Sequence, residues 1–163
     1  MRLNLGSGTN PIDDWTNVDL HADADVKADM LDLPYDDGSI EEIHCAHALE
    51  HLAAAEIHPA LAEWLRVLQP GGKLTVSVPN MDFIAAVWLH GGDRAYAHQL
   101  VFGNQLHEGE FHKSGWRPGD MKVDLEGAGF IVDQVVVQWT PDYSQESIVA
   151  VAHKPEVPDA LAH

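Results

Sequence analysis

Apolar and polar residues alternate from the first residues of the chain. Arg2-Leu3-Asn4-Leu5 reads as a short strand that runs into the glycine turn Gly6-Ser7-Gly8. Trp15 to Leu20 is a second strand, Val26 to Ala28 a weak third and Ile40 to Ala46 a fourth. Pro59 to Leu68 has a helical period, with Leu61, Leu65 and Leu68 on one face and Pro59 suited to a first helical position. Pro70-Gly71-Gly72 stops it. Lys73 to Val78 is the clearest strand, apolar and β-branched. Met81 to Leu89 reads as a helix, and Ile84 and Trp88 share a face expected in the core. His90 to Pro118 has no regular period, Gly119 to Ala128 is a helix closed by Gly129, and Phe130 to Gln138 and Ser147 to Ala152 are the last strands. Strands separated by helices or loops predict an α/β fold on a seven-stranded, mostly parallel sheet, with helices on both faces. The last two strands have no helix between them, which predicts antiparallel pairing at one edge. In such sheets ligands bind beyond the carboxyl ends of the strands. The expected layout is one domain over residues 1–154, with 80–118 as a substrate and lid segment and 155–163 as a tail.

Charge narrows the function classes. The 163 residues carry 26 Asp and Glu against 9 Lys and Arg, a net charge of −17 with His neutral. Affinity for a phosphate backbone comes largely from Lys and Arg, so a nucleic-acid partner is not expected. An anionic membrane surface is disfavoured for the same reason, and no apolar run is long enough to span a bilayer. A single cysteine, Cys45, permits no intrachain disulfide, which fits a reducing, cytoplasmic compartment. No secretory leader pattern opens the sequence.

The glycine turn alone is a weak signal, but it stands first in an ordered series. Asn17-Val18-Asp19-Leu20 places an acid at the end of the second strand, where a carboxylate can accept from a ribose diol. Ala28-Asp29-Met30-Leu31-Asp32-Leu33-Pro34 follows, then Asp37-Gly38-Ser39-Ile40, Ala48-Leu49-Glu50-His51 and the run from Arg66 to Asn80, RVLQPGGKLTVSVPN. Together these resemble the class I S-adenosylmethionine-dependent methyltransferases of the broad type 11 kind, in register from residue 3 to about 80. The resemblance implies a Rossmann-like fold and S-adenosylmethionine as cofactor. It places Gly6, Ser7 and Gly8 in the loop under the methionine part, counts Leu5 among the cofactor-binding residues, and puts Asn4 where the family usually has an acid. Asp19 would hold the ribose hydroxyls and Leu20 the adenine face. Asp29 would meet the adenine amino group, with Met30 and Leu31 flanking the ring, and His47 would lie near the methyl group. Two departures are visible. Asn10 stands near a further glycine of the family. The short interval from Gly6 to Asp19 leaves room for little more than one turn of the first helix. The sequence also lacks the family's helix ahead of the first strand, like a compact subset of the family. A nicotinamide site is disfavoured, because G-x-G-x-x-G opening a full helix is missing.

Methyl transfer needs an acceptor site and, for a protonated acceptor, a base. His112 lies between the fifth strand and the last helix, where the resembled fold builds its acceptor site, and is the preferred base. Asp82 is the second candidate, and His47 the third residue expected at the chemistry. Trp116 would wall the acceptor or anchor its loop. No metal is expected. His44 falls on a strand, His51 and Glu50 on a structural turn, and His107 to His112 on a polar loop. The expected activity is methyl transfer to a small-molecule or sugar-linked acceptor. The alternatives are a non-catalytic cofactor-binding or regulatory domain of the same fold, and a chain completed by a partner. A homodimer is compatible with either.

Overall fold

The computed structural model describes residues 1–90 and 93–156. The expected tail therefore falls largely outside the described residues. Seven strands form one sheet: β1 (Arg2–Leu5), β2 (Thr16–Asp19), β3 (Val26–Lys27), β4 (Ile40–Ala46), β5 (Leu68–Pro79), β6 (Ile131–Thr140) and β7 (Gln145–His153). Their order across the sheet is β3-β2-β1-β4-β5-β7-β6. The pairings from β3 to β5 are parallel, and β7 runs antiparallel to both β5 and β6, as two strands joined without a helix require. The chain leaves β1 toward β2 on one side and reaches β4 on the other, so the order reverses at β1. The crevice above that point is where an open α/β sheet takes a ligand.

Among the described residues four α-helices complete the fold: α1 (Ala54–Val67), α2 (Met81–His90), α3 (Arg94–Phe102) and α4 (Pro118–Gly127). Helix α1 begins five residues before Pro59, which lies inside it. The start is set by Glu56, whose carboxylate accepts from the Ala53 N–H at 2.7 Å. Its buried face is Ile57, Ala60, Leu61, Trp64 and Val67, at helical spacing. β5 starts directly at Leu68, and the Pro70-Gly71-Gly72 turn is absorbed as an irregularity in its pairing with β4. Helix α3 lies in the stretch expected to be irregular. Trp88 is exposed rather than in the core, with its ring edge-on to Phe102 at 6.3 Å.

Helix α1 also clamps the loop that precedes β4. The Arg66 guanidinium reaches both carboxylate oxygens of Glu63, the Asp37 carboxylate, and the backbone carbonyls of Leu33 and Tyr35. This places Leu33 to Asp37 against the helix and thereby fixes the path of Asp29 to Leu31 above them.

The half-buried His44 on β4 gives a pH test. Burial pulls its imidazole below the ordinary 6.5, Glu42 opposes this and Lys73 adds to it. The unfolded chain thus binds this proton more readily than the folded one. Its stabilising contribution is whole above pH 6.5 and is lost as the pH falls from 6.5 through the lowered folded value. Thermal melts between pH 8 and pH 5 should show a steeper loss for the native chain than for His44→Thr. Parallel curves would remove His44 as a cause.

Candidate active site

No helix forms between β1 and β2. A short looped segment takes its place, held from below by side-chain amides. Asn4 Nδ2 donates to Asn17 Oδ1 at 2.9 Å and to the Asn10 carbonyl at 3.1 Å, and Asn17 Oδ1 also accepts from the Ile12 N–H at 2.8 Å. Asp25 in turn accepts from Asn17 N–H at 2.8 Å and Nδ2 at 3.0 Å. Asn4 is therefore buried beneath the loop and does not line the cavity above it, a correction to its expected place among the cofactor residues. An amide fits here because its Nδ2 donates twice, whereas a carboxylate could only accept.

Above this loop lies a cavity of about 920 Å³, open to solvent at one side. Leu5, Gly6, Ser7, Gly8, Asp19, Leu20, Asp29, Met30, Leu31 and His47 all contribute to its wall, which brings every other expected cofactor residue to one place. Gly6 and Gly8 have φ of 63° and 50°, and a side chain at Gly6 would overlap Ala48. The Ser7 hydroxyl is buried and has no hydrogen-bond partner. Asp19 Oδ2 accepts from Gly8 N–H at 2.9 Å, and Oδ1 accepts from His21 N–H and Ala22 N–H, each at 2.7 Å. Burial works against this carboxylate, but the three backbone donors and nearby His21 hold its pKa below the usual value. Three of its roughly four acceptor positions are used, so a diol would compete with the loop's own amides.

The other end of the cavity is built by the turn after β4, the segment around α3 and the β6–β7 connection. His47 has φ of 51°, which turns the chain sharply off β4. Its ring is buried and stacked on Tyr143 at 3.7 Å. Nε2 lies 2.8 Å from Ser147 Oγ, which accepts from Thr140 Oγ1 at 2.8 Å and so has its own hydrogen to give to the ring. That leaves Nδ1–H toward Glu50 Oε1, 3.4 Å away. Tyr143 and the unpartnered Gln145 Oε1 also face this end.

His112 reaches the same space, with Nδ1 donating to the Leu100 carbonyl at 3.0 Å. Burial lowers its pKa and Glu50 opposes this. Asp82 is exposed at the start of α2 and is not part of the cavity wall, unlike His112. Trp116 anchors its loop instead of walling the acceptor: it is buried, with Nε1 donating to Asp124 Oδ2 at 2.7 Å.

Glu50, His51 and His112 meet at the cavity wall, with one donor atom from each lying within 4.8 Å of the others. Sequence reasoning placed the first two on a turn and the third on a loop. The Ala48-Leu49-Glu50-His51 motif marked the turn, but nothing local ties it to His112. Tyr143 and Gln145 were also missed, because a β-hairpin turn carries no pattern that aims it at a site.

The sequence matches a known family, described as a methyltransferase domain, over residues 13–76. No curated protein sequence matches it. Among solved structures, it resembles an S-adenosylmethionine-dependent methyltransferase from Methanosarcina mazei at 16% identity, with a TM-score of 0.72 over 96% of this chain and 92% of that one. The 1,6-didemethyltoxoflavin-N1-methyltransferase of Burkholderia thailandensis, solved with 1,6-didemethyltoxoflavin and S-adenosylhomocysteine, is 16% identical, with a TM-score of 0.66 over 95% and 71%. A Haloferax volcanii structure in complex with the Trm112 methyltransferase activator is 17% identical, with a TM-score of 0.63 over 96% and 82%.

Proposed function

We propose that this chain, which matches a methyltransferase-domain family over residues 13–76, is a type 11-like class I S-adenosylmethionine-dependent methyltransferase and methylates a small-molecule acceptor bound beside its cofactor. The carrying observation is the single cavity wall shared by the glycine cradle, the buried unpartnered Ser7 hydroxyl, the Asp19 carboxylate and His112. The residues fit the cofactor. Gly6 and Gly8 admit a close backbone approach, Ser7 Oγ needs a polar partner, and Leu20 offers exposed apolar surface for a flat ring. S-adenosylmethionine supplies an electrophilic methyl group with an activated leaving group. The protein therefore mainly orients the acceptor and keeps water out.

In this reading Asp19 takes a ribose hydroxyl, Asp29 the adenine amino group, and Met30 and Leu31 the ring edges. His47 shapes the floor and acts by positioning, since its ring is packed under Tyr143 and committed to Ser147 and Glu50. His112 Nε2 takes the proton of a hydroxyl or amine acceptor, because Nδ1–H is already given to Leu100. The acceptor class, a small or sugar-linked molecule, is supported by the charge of −17. Among the described residues no helix is long and apolar enough to cross a membrane.

Calorimetric titration with S-adenosylhomocysteine tests the cofactor reading. Saturable 1:1 binding is expected, weakened at least about tenfold in Asp19→Ala, the effect of losing one or two charge-assisted hydrogen bonds. No heat at high protein concentration, or equal affinity in the variant, overturns it. Radiolabelled methyl transfer to small acceptors then separates an enzyme from a cofactor-binding domain.

A further inference from the structure

Glu50 is a buried acid in an unusual setting. Its side chain is 1% exposed, and apart from the long 3.4 Å approach of His47 Nδ1–H to Oε1 neither carboxylate oxygen has a hydrogen-bond partner. Leaving such a group unpaired is costly, so a buried carboxylate calls for a cation or donors. The other two imidazoles beside it, His51 and His112, offer neither as they stand. His51 Nδ1 lies 3.1 Å from the Phe111 carbonyl, and His112 Nδ1 lies 3.0 Å from the Leu100 carbonyl. A carbonyl oxygen only accepts, so both Nδ1 atoms carry the hydrogen. In the neutral rings both Nε2 atoms are then lone pairs. Beyond His47 the three residues bring together acceptors with no donor among them, and all three line the cavity.

This is the preparation of a metal centre. Ligating imidazoles typically give their second ring N–H to a backbone carbonyl or carboxylate, which fixes the tautomer and aims the other nitrogen. Two imidazoles and one carboxylate with open positions suit a divalent transition metal such as zinc, cobalt or iron. Bonds of about 2.1 Å in tetrahedral array put donors about 3.4 Å apart. The observed spread, within 4.8 Å, closes by small side-chain rotations. His47 Nδ1–H would steady Oε1 from the side away from the ion, as a supporting partner of a carboxylate ligand does.

We propose that Glu50, His51 and His112 bind one divalent transition-metal ion, with its remaining positions open to the acceptor end of the cavity. The inference stands apart from the cofactor reading, because it needs only these three side chains and their carbonyl partners. It competes with proton acceptance at His112, since both use the same Nε2. Metal titration decides which role that atom performs.

Chelator-treated protein is titrated with Zn²⁺ in a calorimeter and with Co²⁺ by visible absorption, without S-adenosylhomocysteine. One equivalent is expected to bind in the micromolar range or tighter, with a visible Co²⁺ band of a four- or five-coordinate centre. His51→Gln, His112→Gln and Glu50→Gln should each weaken binding by at least about tenfold. His58→Gln, on the exposed face of α1, should leave it unchanged. The Zn²⁺-dependent rise in melting temperature should vanish in the first three. Should Glu50→Gln fail to fold, the two histidine variants carry the test on partly exposed sites. Absence of saturable 1:1 binding, or binding indifferent to His51→Gln and His112→Gln, overturns the metal site and leaves the cluster holding a proton. S-adenosylhomocysteine affinity is measured in parallel, so failure of one reading is distinguishable from failure of the other.

Discussion

Gly6→Val is expected to abolish S-adenosylhomocysteine binding and to lower stability by about 2–5 kcal/mol. Gly6 sits at φ of 63°, and its N–H donates to the Val18 carbonyl at 2.8 Å. A β-branched residue is a poor occupant of that region. Its Cβ would overlap the Cβ of Ala48, on the turn that carries Glu50 and His51. Either the glycine loop lifts off β2 or the turn after β4 retreats, and both deform the cradle. Gly8→Ala is the control. Its φ is 50°, but an added Cβ meets no protein atom within 4 Å, so its stability cost is the backbone preference alone, about 1–2 kcal/mol, and Gly8→Ala is a control for folding and not for cofactor binding. Thermal melts should separate the two, and calorimetry reads the binding loss in Gly6→Val. Equal melting would mean that the close approach to Ala48 does not shape the site.

The second large effect is at Trp64. This side chain is fully buried on α1, and its Nε1 donates to the Met30 carbonyl at 3.0 Å. Trp64→Ala should cost about 3–5 kcal/mol through lost burial and the cavity left behind. In urea the midpoint should fall while the slope stays constant. Trp64→Phe keeps most of the apolar volume and removes the donor, with an expected loss of about 1–3 kcal/mol. Met30 lines the cofactor end of the cavity, so the phenylalanine variant should also weaken S-adenosylhomocysteine binding at temperatures where it is folded. Loss of stability without loss of affinity would show that the Met30 backbone keeps its place without this bond.

Much of this was legible in the chain because the signals are local. Gly6-Ser7-Gly8 after an apolar strand, an acid at the end of the next strand, and the β-branched run through Val78 each depend on neighbours in sequence. Helix α1 was misjudged at its start, since Pro59 looks like an N-terminal residue while Glu56 supplies the actual end. Helix α3 has a polar, His- and Gln-containing sequence whose position is set by its attachments. The Tyr96 hydroxyl donates to the Ser144 carbonyl at 2.5 Å, and the Phe102 carbonyl accepts from His112 N–H at 3.1 Å. Asn4 looked like a substituted acid of the cradle because its position matched. Its role appeared only with Asn17 and Asp25, which belong to other segments. Glu50, His51 and His112 meet only through tertiary packing, which no spacing rule encodes.

The backbone of Glu50 does a second thing that its side chain does not. Its carbonyl accepts from Lys113 N–H at 2.8 Å and Ser114 N–H at 3.2 Å, the residues that follow His112. One residue therefore holds the covering segment with its main chain and faces the cavity with its carboxylate. Whatever engages the carboxylate also changes how firmly the covering segment is seated. The dependence runs both ways, because linkage is reciprocal. Floor and covering segment are thus joined through consecutive residues, Glu50 by its carbonyl and His51 by its ring on the Phe111 carbonyl.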